Sequence, residues 1–588
     1  MDCKFSSSIS WNMPADFSHK RTKLQSLAIM GRFGLAAAAR YARRPAPALP
    51  GVASRPATAS RLSMPAVQKR VVAPKAKKVE AKKAKKADAK KADARRPSLS
   101  ATSKPTYHHV MPTVALQKLL DSWGPALVKQ VIDCYDAWVA RGRDVGTSSN
   151  ALKVGTELRV GTDCSGAEAP IWALREMGIK HIHKVSCDWK KSVRDFILAV
   201  SPPSGPVFHD MLTRKMADIP DVDLYVCGFP CTPFSSLRRH RTRLLQEAAA
   251  KPFKKLLKVL EERKPALAVL ENVLGIAKVM NIVCRMLAKL GCYFVIVVKL
   301  DSQDLGVPIA RPRYYFILVR KNAAITQNVD SLASLGKAIV KACKLPVQGT
   351  VLDLMLPKAG TSNTAAVGMS GGKPQCKWPA KHTAFRQKFA LSPPTSCKDS
   401  DALGLRTMRH REAWQLLVNA HPGKMIIADL SQNIDRCRVS TNGVCPTLTP
   451  KSILCVQAAS REVSPMDTLA LHFFPVHRMK IPTTVTPTTL RSLGGNTMHL
   501  KSVGLAICMG MAMVKPSFGQ EVTIDKKKSW GVGMSKGMAD VVFLDSFDEG
   551  SGSRASTKRR VRSDSRHAQG RLKRQRLLLF GRAKQQTK

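Results

Sequence analysis

Two patterns of hydrophobic and polar positions follow one another along this chain. From Thr113 to Val139, apolar residues recur near helical spacing and are interrupted at Gly124-Pro125, which predicts two amphipathic helices that pack on the following domain. Beyond residue 156, short apolar runs end in polar residues or glycine and predict buried parallel strands; they cover 157–163, 185–187, 207–208, 223–227 and 265–273. With helices between them, these runs favour an α/β fold.

The ends of the first three runs carry groups that suit a nucleoside ligand. Gly166 stands beside a predicted helix start, where backbone N–H groups can bind an anionic carboxylate. Asp188 can accept hydrogen bonds from ribose hydroxyls, and the indole of Trp189 can cover an adenine face. Asp210 offers another acceptor, suited to an exocyclic amine.

The later runs end in residues suited to catalysis. The loop 228–235 breaks the fourth strand with glycine and proline, and it places Cys231 at the carboxyl edge of the sheet between the anchoring residues Phe229 and Phe234. A lone Pro-Cys pair is also typical of a buried structural cysteine. Glu271 ends an apolar strand, so we expect burial to raise its pKa.

The charge balance indicates a polyanionic partner. Lys and Arg number 96 against 41 Asp and Glu, which gives 588 residues a formal net charge of +55 at pH 7. Such a charge repels itself unless a polyanion neutralises it, and nucleic acid is the simplest one. The alternative is that basic tails only keep the protein soluble.

Cysteine usage and targeting signals bear on the compartment. The 15 cysteines are scattered, odd in number and without zinc spacing, which favours a reducing compartment and no metal site. The sequence has no uninterrupted apolar run of about 18 or more residues, so no membrane span is predicted. Clusters of Lys and Arg suit nuclear import, although the Arg-rich and Ser-rich residues 1–70 also fit an organellar transit peptide. The oligomeric state stays open.

Six short motifs, in family order, resemble those of the cytosine carbon-5 methyltransferases. Gly228-Phe-Pro-Cys-Thr-Pro-Phe-Ser235 resembles the nucleophile loop Pro-Cys-Gln-Pro-Phe-Ser, and Glu271-Asn-Val matches its motif unchanged. The segment 304–313 resembles Gly-Val-Pro-Gln-x-Arg-x-Arg, with Ile in place of Gln. The resemblance covers about residues 156–515. It implies a doubly wound, mostly parallel α/β sheet, the class I S-adenosyl-methionine-dependent methyltransferase fold, with an inserted target-recognition domain.

On matching positions, the resemblance implies an S-adenosyl-methionine site. Its residues are Ser165, Gly166 and Glu168 at the methionine end, Asp188 at the ribose, Trp189 and Asp210 at the adenine, and also Phe229 and Asn496. The family pattern is Phe-x-Gly-x-Gly-Gly. In this chain Cys164 replaces the Phe, Glu168 the second Gly and Ala169 the third. The change removes an adenine stacking partner and places a side chain where glycine is usual.

The resemblance also implies the catalytic groups. Cys231 would add to carbon-6 of cytosine, Glu271 would neutralise charge at ring nitrogen 3, Arg313 would bind the ring carbonyl oxygen and Arg311 would support the cysteine loop. We expect the arginines to lower the pKa of the thiol. A duplex substrate requires base flipping. The predicted nucleic-acid contacts are Ser235, Arg238, Arg239, Arg241 and Arg243.

The predicted organisation has six segments. They are a disordered basic tail (1–106) containing a Lys-Ala run similar to linker-histone tails, a helical segment packing on the core (107–155), the catalytic and cofactor-binding core (156–330), the target-recognition region (331–457), the C-terminal completion of the core (458–520) and a second basic tail (521–588).

The predicted function is that of a DNA cytosine carbon-5 methyltransferase in the nucleus. Transfer RNA is the rival substrate, since one branch of the same family methylates it and usually carries a Cys-Phe-Thr tripeptide that is absent here. A rival of another class is a chromatin-binding protein with an inactive methyltransferase fold, which the altered glycine motif keeps open.

Overall fold

The computed structural model describes residues 111–141, 152, 157–234, 250–358, 379–392, 403, 405, 407–516 and 539–544. The predicted tail 1–106 and the basic clusters near the C-terminus lie outside these residues. Among the described helices, none combines the length and hydrophobicity needed to cross a bilayer.

The described elements alternate between strands and helices through the core. The strands are β1 (Leu158–Asp163), β2 (His181–Cys187), β3 (Val207–Phe208), β4 (Leu224–Cys227), β5 (Leu267–Val273), β6 (Tyr293–Leu300), β7 (Arg313–Arg320), β8 (Ile427–Asp429), β9 (Val439–Ser440), β10 (Leu454–Val456), β11 (Arg461–Glu462) and β12 (Val541–Leu544). The α-helices are α1 (Val114–Val139), α2 (Ala169–Glu176), α3 (Lys191–Val200), α4 (Lys251–Arg263), α5 (Met280–Ala288), α6 (Val329–Ala342), α7 (Pro379–Lys388), α8 (Met408–Ala420), α9 (Pro465–Ala470), α10 (Pro487–Asn496) and α11 (Leu500–Ala512).

Eight strands form the central sheet in the order β12-β6-β7-β5-β4-β1-β2-β3. Neighbours pair in parallel except β7, which is antiparallel to both β5 and β6. This is the class I S-adenosyl-methionine-dependent methyltransferase fold, as the sequence predicted. The strand order reverses between β1 and β4, and ligands of open α/β sheets bind at the carboxyl ends of the strands at such a point.

Alternate residues of each strand pack on opposite faces of the sheet, because successive side chains of a strand point to opposite sides. On one face, residues such as Val160 and Val226 join the apolar sides of α1, α2 and α11. On the other face, Tyr225 and Leu270 join those of α4 and α5. The predicted strands are therefore buried on both faces, as their continuous apolar runs indicated.

The segment 113–139 forms one helix, so the prediction of two helices is wrong. Pro125 lies inside α1, where it removes one backbone hydrogen bond. Packing keeps the helix continuous: Leu116, Leu120 and Trp123 are buried against the core. A Cβ on Gly124 would lie 2.0 Å from the carbonyl oxygen of Glu176, so glycine permits α1 to approach the end of α2 closely.

Two predicted boundaries change with the tertiary structure. β12 lies within the predicted tail 521–588, yet Val541–Leu544 pair in parallel with Val295–Val298 of β6. α6 begins at the predicted end of the core and continues into the predicted recognition region 331–457, where its Gly336 packs against Leu544 and Met513 of the core. Four apolar residues after a long polar stretch are too short a pattern to predict an edge strand from the sequence.

A smaller four-stranded sheet, in the order β11-β10-β8-β9, follows the central one in sequence. The loop between β9 and β10 returns to the core, where the N–H of Cys445 donates to Pro308 O at 2.8 Å and that of Ala310 donates to Cys445 O at 2.8 Å. The hydroxyl of Thr447 also donates to Ala310 O. The second sheet is thereby joined to the loop that precedes β7.

Candidate active site

Glu271 and Arg313 meet because β5 and β7 are antiparallel. Val273 pairs with Arg313 in the strand register, which sets the start of β7 beside the end of β5. Arg313 Nε lies 2.9 Å from Glu271 Oε1, and both side chains are almost completely removed from solvent. Two residues that are 42 positions apart therefore form one charged pair at the carboxyl edge of the sheet.

The cysteine loop follows β4 and is anchored from below. The ring of Phe229 packs against Phe253 at 5.0 Å and against Phe234 at 6.2 Å between centroids. Asn272 Nδ2 donates to Phe229 O at 3.0 Å, and the N–H of Phe234 donates to Cys231 O at 2.9 Å. The ring of Phe229 fills this apolar cluster and is buried; the cofactor contact at Phe229 stays a prediction.

Gly228 brings the cysteine loop, Glu271 and the C-terminal part of the core together. A Cβ at this position would lie 2.9 Å from Met498 Cε and 3.5 Å from Glu271 Oε2. The carbonyl oxygen of Cys164, after β1, lies 3.9 Å from the same point. Glycine leaves room for three segments to approach here, and for a larger residue only Met498 Cε, the end of a flexible side chain, would have to move. Met498 is a site neighbour that sequence analysis missed.

Burial changes the pKa values of the two reactive groups at this sheet edge, the Glu271 carboxyl and the Cys231 thiol. It raises the pKa of the Glu271 carboxyl, against the opposing charges of Arg313 and Arg311, which confirms the prediction made from its apolar strand. Burial also raises the pKa of the Cys231 thiol, and the charge of Glu271 adds to that effect. The expected lowering is wrong for this arrangement, because the two arginines oppose desolvation without exceeding it.

The hydrogen bonds of Arg311 within the described residues hold C-terminal segments, and its support of the cysteine loop stays a prediction. Its guanidinium donates to Leu448 O at 3.4 Å, to Gly495 O at 3.3 Å and to Thr497 O. The side chain is buried, so these carbonyls replace its hydration. Its charge still acts on the Cys231 thiol.

Four polar side chains form a buried network under the predicted methionine end. The hydroxyl groups of Thr162 and Ser165 lie 2.8 Å apart, and those of Ser186 and Ser165 lie 2.9 Å apart. Glu168 Oε1 accepts from Thr162 Oγ1 at 3.1 Å and from Ser186. The network ties the ends of β1 and β2 to the first residue before α2.

The altered glycine motif keeps a glycine-like backbone. Glu168 has φ +58° and Cys164 has φ +52°, both in the left-handed region that costs a residue with a side chain about 1 kcal/mol or more. Gly166 has φ +55° and open space where a Cβ would be. The loop therefore presents a free backbone surface above a buried carboxyl group.

Asp188 and Trp189 follow β2 at the same edge. Asp188 Oδ2 accepts from the N–H of Gly166 at 3.3 Å, and Oδ1 accepts from that of Lys190 at 2.9 Å. The indole of Trp189 is 74% exposed, with Lys190 Nζ 5.8 Å from the ring centroid. Arg194 Nη1 holds the carbonyls of both residues at 2.9 Å. Such an exposed ring beside a carboxylate suits a nucleoside.

The two remaining predicted cofactor residues are Asp210, which follows β3, and Asn496, which ends α10. Asp210 Oδ1 accepts from the N–H of Leu212 at 2.9 Å. Asn496 is exposed, and its neighbours Gly495 and Thr497 supply the carbonyls that bind Arg311.

A buried triad beneath this site was missed by sequence analysis. Arg214 Nη1 donates to Asp163 Oδ1 at 2.6 Å, and Tyr225 donates to Asp163 Oδ2. Asp163 and Arg214 are both buried, so each depends on the other for its charge. Asp163 at the end of an apolar strand was the available signal.

The predicted nucleic-acid contacts Ser235, Arg238, Arg239, Arg241 and Arg243 lie outside the described residues. Within the described part of the chain, no group of three or more His, Cys, Asp or Glu side chains is placed to hold a metal ion.

Comparison with known proteins identifies the core. Residues 164–365 match the family model of the C-5 cytosine-specific DNA methylases. Over these residues, the chain is similar to this family. The match includes the cysteine loop, Glu271 and both arginines, so the motifs that carried the resemblance lie within the matched core.

Individual relatives cover different shares of the chain. The DNA (cytosine-5-)-methyltransferase DMT5 of Cryptococcus neoformans is 25% identical over 446 residues, which are 67% of this chain and 18% of that protein. DMT5 of Verticillium dahliae is 22% identical over 478 residues, 63% of this chain and 20% of that one. The chain thus spans about a fifth of the length of these curated relatives.

A bacterial protein and a solved structure are also similar. The type II methyltransferase M.MspI of Moraxella is 28% identical over 127 residues, 21% of this chain and 29% of that protein. The crystal structure of S. pombe Dnmt2 methyltransferase is 16% identical with a TM-score of 0.37, and the match covers 60% of this chain and 98% of that one.

Proposed function

We propose that this protein transfers a methyl group from S-adenosyl-methionine to carbon-5 of cytosine in DNA, through a covalent adduct on Cys231. The observation that carries the proposal is the convergence of the cysteine loop with the Glu271–Arg313 pair, supported by the family match over residues 164–365. The net charge of +55 and the names of the DMT5 relatives support DNA as the substrate.

The loop residues fit the methyl donor. Gly166 leaves open backbone, Asp188 can accept from ribose hydroxyls and the exposed Trp189 can cover the adenine. When bound, the donor supplies an electrophilic methyl group on a sulfonium. The orphaned Oε2 of Glu168 beneath the loop suits a cationic ligand.

The chain's own residues then act on the cytosine. The Cys231 thiolate adds to carbon-6, and the electron pair that reaches carbon-5 would form the bond to the methyl group as the methyl–sulfur bond breaks and sulfur keeps its electron pair. The Glu271 carboxyl, whose pKa is raised by burial, shares a proton with ring nitrogen 3, while Arg313 orients that carboxyl and donates to the ring carbonyl oxygen. Loss of the carbon-5 proton to a base then expels the thiolate.

Because the pKa of Cys231 is raised in the free protein, binding of the cytosine has to help ionise the thiol. Desolvation and the Glu271 charge disfavour the thiolate before the base enters. A proton placed between Glu271 and the ring nitrogen removes that opposing negative charge, and the two arginines then favour the thiolate. Thiol activation is thereby coupled to base binding.

Nuclear location is proposed from the basic clusters of the sequence.

Trapping on a 5-fluorocytosine oligonucleotide tests this function. The fluorine blocks release, so wild-type protein with S-adenosyl-methionine should form an adduct that survives denaturing electrophoresis. Cys231→Ala should form none, while Cys227→Ala, which changes a buried cysteine of β4, should retain it. Trapping on transfer RNA but not DNA would reassign the substrate, and trapping on neither would exclude the covalent reaction.

A further inference from the structure

Glu168 is a fully buried carboxyl group that the reaction described above does not use. Its Oε1 accepts from Thr162 and Ser186, whereas Oε2 has no hydrogen-bond partner among the described residues. Glu168 lies immediately before α2, below the loop that carries Ser165 and Gly166, and its φ of 58° is in the left-handed region. A buried, half-satisfied carboxyl in a strained backbone position is costly, which indicates a role beyond packing.

Within the described part of the chain, no charged counterion is in contact with Glu168. Ser165, Thr162 and Ser186 are neutral hydroxyls, and His183 Nε2 of β2 lies 3.8 Å from Oε1. The same burial lowers the pKa of His183 to about 4, so that imidazole is neutral at physiological pH.

Two more distant charges act on the carboxyl group. Arg175 of α2 favours the ionised form through its charge, and its guanidinium stacks 4.8 Å over the Trp172 ring. Asp188, after β2, opposes ionisation. Desolvation exceeds the contribution of the hydroxyl groups and raises the pKa of Glu168 to about 7. Near neutral pH, the carboxyl therefore exists in both forms.

We propose that Glu168 is a positioning and specificity residue, whose negative charge under the Ser165-Gly166 loop makes this site select the cationic methyl donor over the uncharged-sulfur product. The inference rests on the methyl donor of the proposed function. Methyl transfer turns a sulfonium into a thioether, so the ligand loses one positive charge when it reacts. A fixed carboxylate in a water-excluded, low-dielectric site attracts the positively charged sulfonium more strongly than the neutral thioether.

The contacts explain how a buried group acts on the ligand. Glu168 orients Ser165 through Thr162 and Ser186, since both of these hydroxyls bond to Ser165 as well as to the carboxyl group. A bound cation supplies the missing countercharge, which favours ionised Glu168. By linkage, ionisation of Glu168 strengthens donor binding equally. Affinity for the methyl donor therefore rises as the pH increases through the pKa of Glu168. Because affinity for the product does not rise in the same way, the donor displaces the product more easily.

Calorimetric titration of the full chain with S-adenosyl-methionine and with S-adenosyl-homocysteine tests this role. For the wild type, donor affinity should rise about tenfold from about pH 5.5 to about pH 8.5, the linkage expected for a pKa shift of about one unit, and product affinity should change less than about twofold. In Glu168→Gln the rise should vanish, and the donor-to-product affinity ratio above pH 8 should fall about tenfold.

Glu176→Gln is the matched control, because Glu176 is a buried glutamate at the other end of α2 that pairs with Arg478. It should keep the wild-type profile. A Glu168→Gln profile equal to the wild type would overturn the inference, as would parallel profiles of donor and product in the wild type alone. Should the wild type bind neither ligand, the proposed function fails and takes the inference with it.

Discussion

Glu271 Oε1 and Arg313 Nε lie 2.9 Å apart where antiparallel β5 and β7 meet. The pair lies beside Gly228, at the base of the cysteine loop, so the acid, its arginine and the nucleophile loop are held by three neighbouring strands. Rigid strands position such groups more accurately than loops do.

Replacement of Glu271 by Gln should separate catalysis from folding. The amide oxygen can still accept from Arg313, but the group no longer carries the acidic proton that neutralises the ring nitrogen. Single-turnover methyl transfer should slow by about 10²–10⁴, while donor affinity stays at the wild-type value. Glu262→Gln, on the exposed side of α4, is the control and should leave the rate unchanged. A wild-type rate in Glu271→Gln would remove this residue from the mechanism.

Arg311→Lys should destabilise the fold by about 3 kcal/mol, because an ammonium cannot keep hydrogen bonds to three carbonyls that a guanidinium bonds together. Urea unfolding measures the loss. Arg320→Lys is the matched change at the other end of β7, where Nη1 donates to Lys264 O at 2.7 Å near solvent, and it should cost under about 1 kcal/mol. Equal losses in the two variants would contradict the anchoring role.

Gly228→Ala should cost about 1 kcal/mol, the low end for overpacking, because the clashing atom is the end of the flexible Met498 side chain. Met498→Ala removes the obstructing group, so the double variant should be more stable than the sum of the two single losses predicts. A double-mutant cycle from thermal or urea unfolding should give a coupling of about 1 kcal/mol. Strictly additive losses would show that the two residues do not press on each other.

Glu168 should make stability fall as pH rises. Its folded pKa of about 7 lies above the ordinary value of 4.5, so the folded state holds the proton more tightly than the unfolded chain. The stabilisation is fully present below the unfolded pKa and is lost as pH rises through the folded one. Between about pH 5 and pH 8, this residue should remove about 2–3 kcal/mol from the free energy of unfolding.

The unfolding free energies of wild type and Glu168→Gln, measured in urea without ligand at both pH values, give this contribution by difference. The glutamine variant should lack the Glu168 part of the slope. If the two proteins show the same pH dependence, Glu168 titrates near its ordinary pKa despite its burial.

The positions of Cys231 and Glu271 at the sheet edge could be predicted from local signals, whereas Arg313 was assigned only by its resemblance to a family motif. An apolar run predicts a buried strand, and the residue that ends it must lie at the sheet edge. The same logic placed Asp188 next to the loop of Gly166, whose N–H donates to its carboxylate.

Other features followed only from contacts between distant segments. Gly124-Pro125 carries a strong local signal for a helix break, yet packing against Glu176 and the core keeps α1 continuous. Val541–Leu544 became a strand only because β6 offers a free edge. The predicted depression of the Cys231 pKa was wrong, since desolvation depends on how deeply the loop is buried.

The sequence by itself determined which chemical groups stand at the ends of the strands, because strand periodicity and turn residues act over a few positions. Only the tertiary structure decided what surrounds those groups: the carbonyls that hold Arg311, the hydroxyls that bond Glu168, and the water that is excluded from both. Hydrogen-bond partners and desolvation are properties of the packed chain, and they control charge, pKa and therefore reactivity.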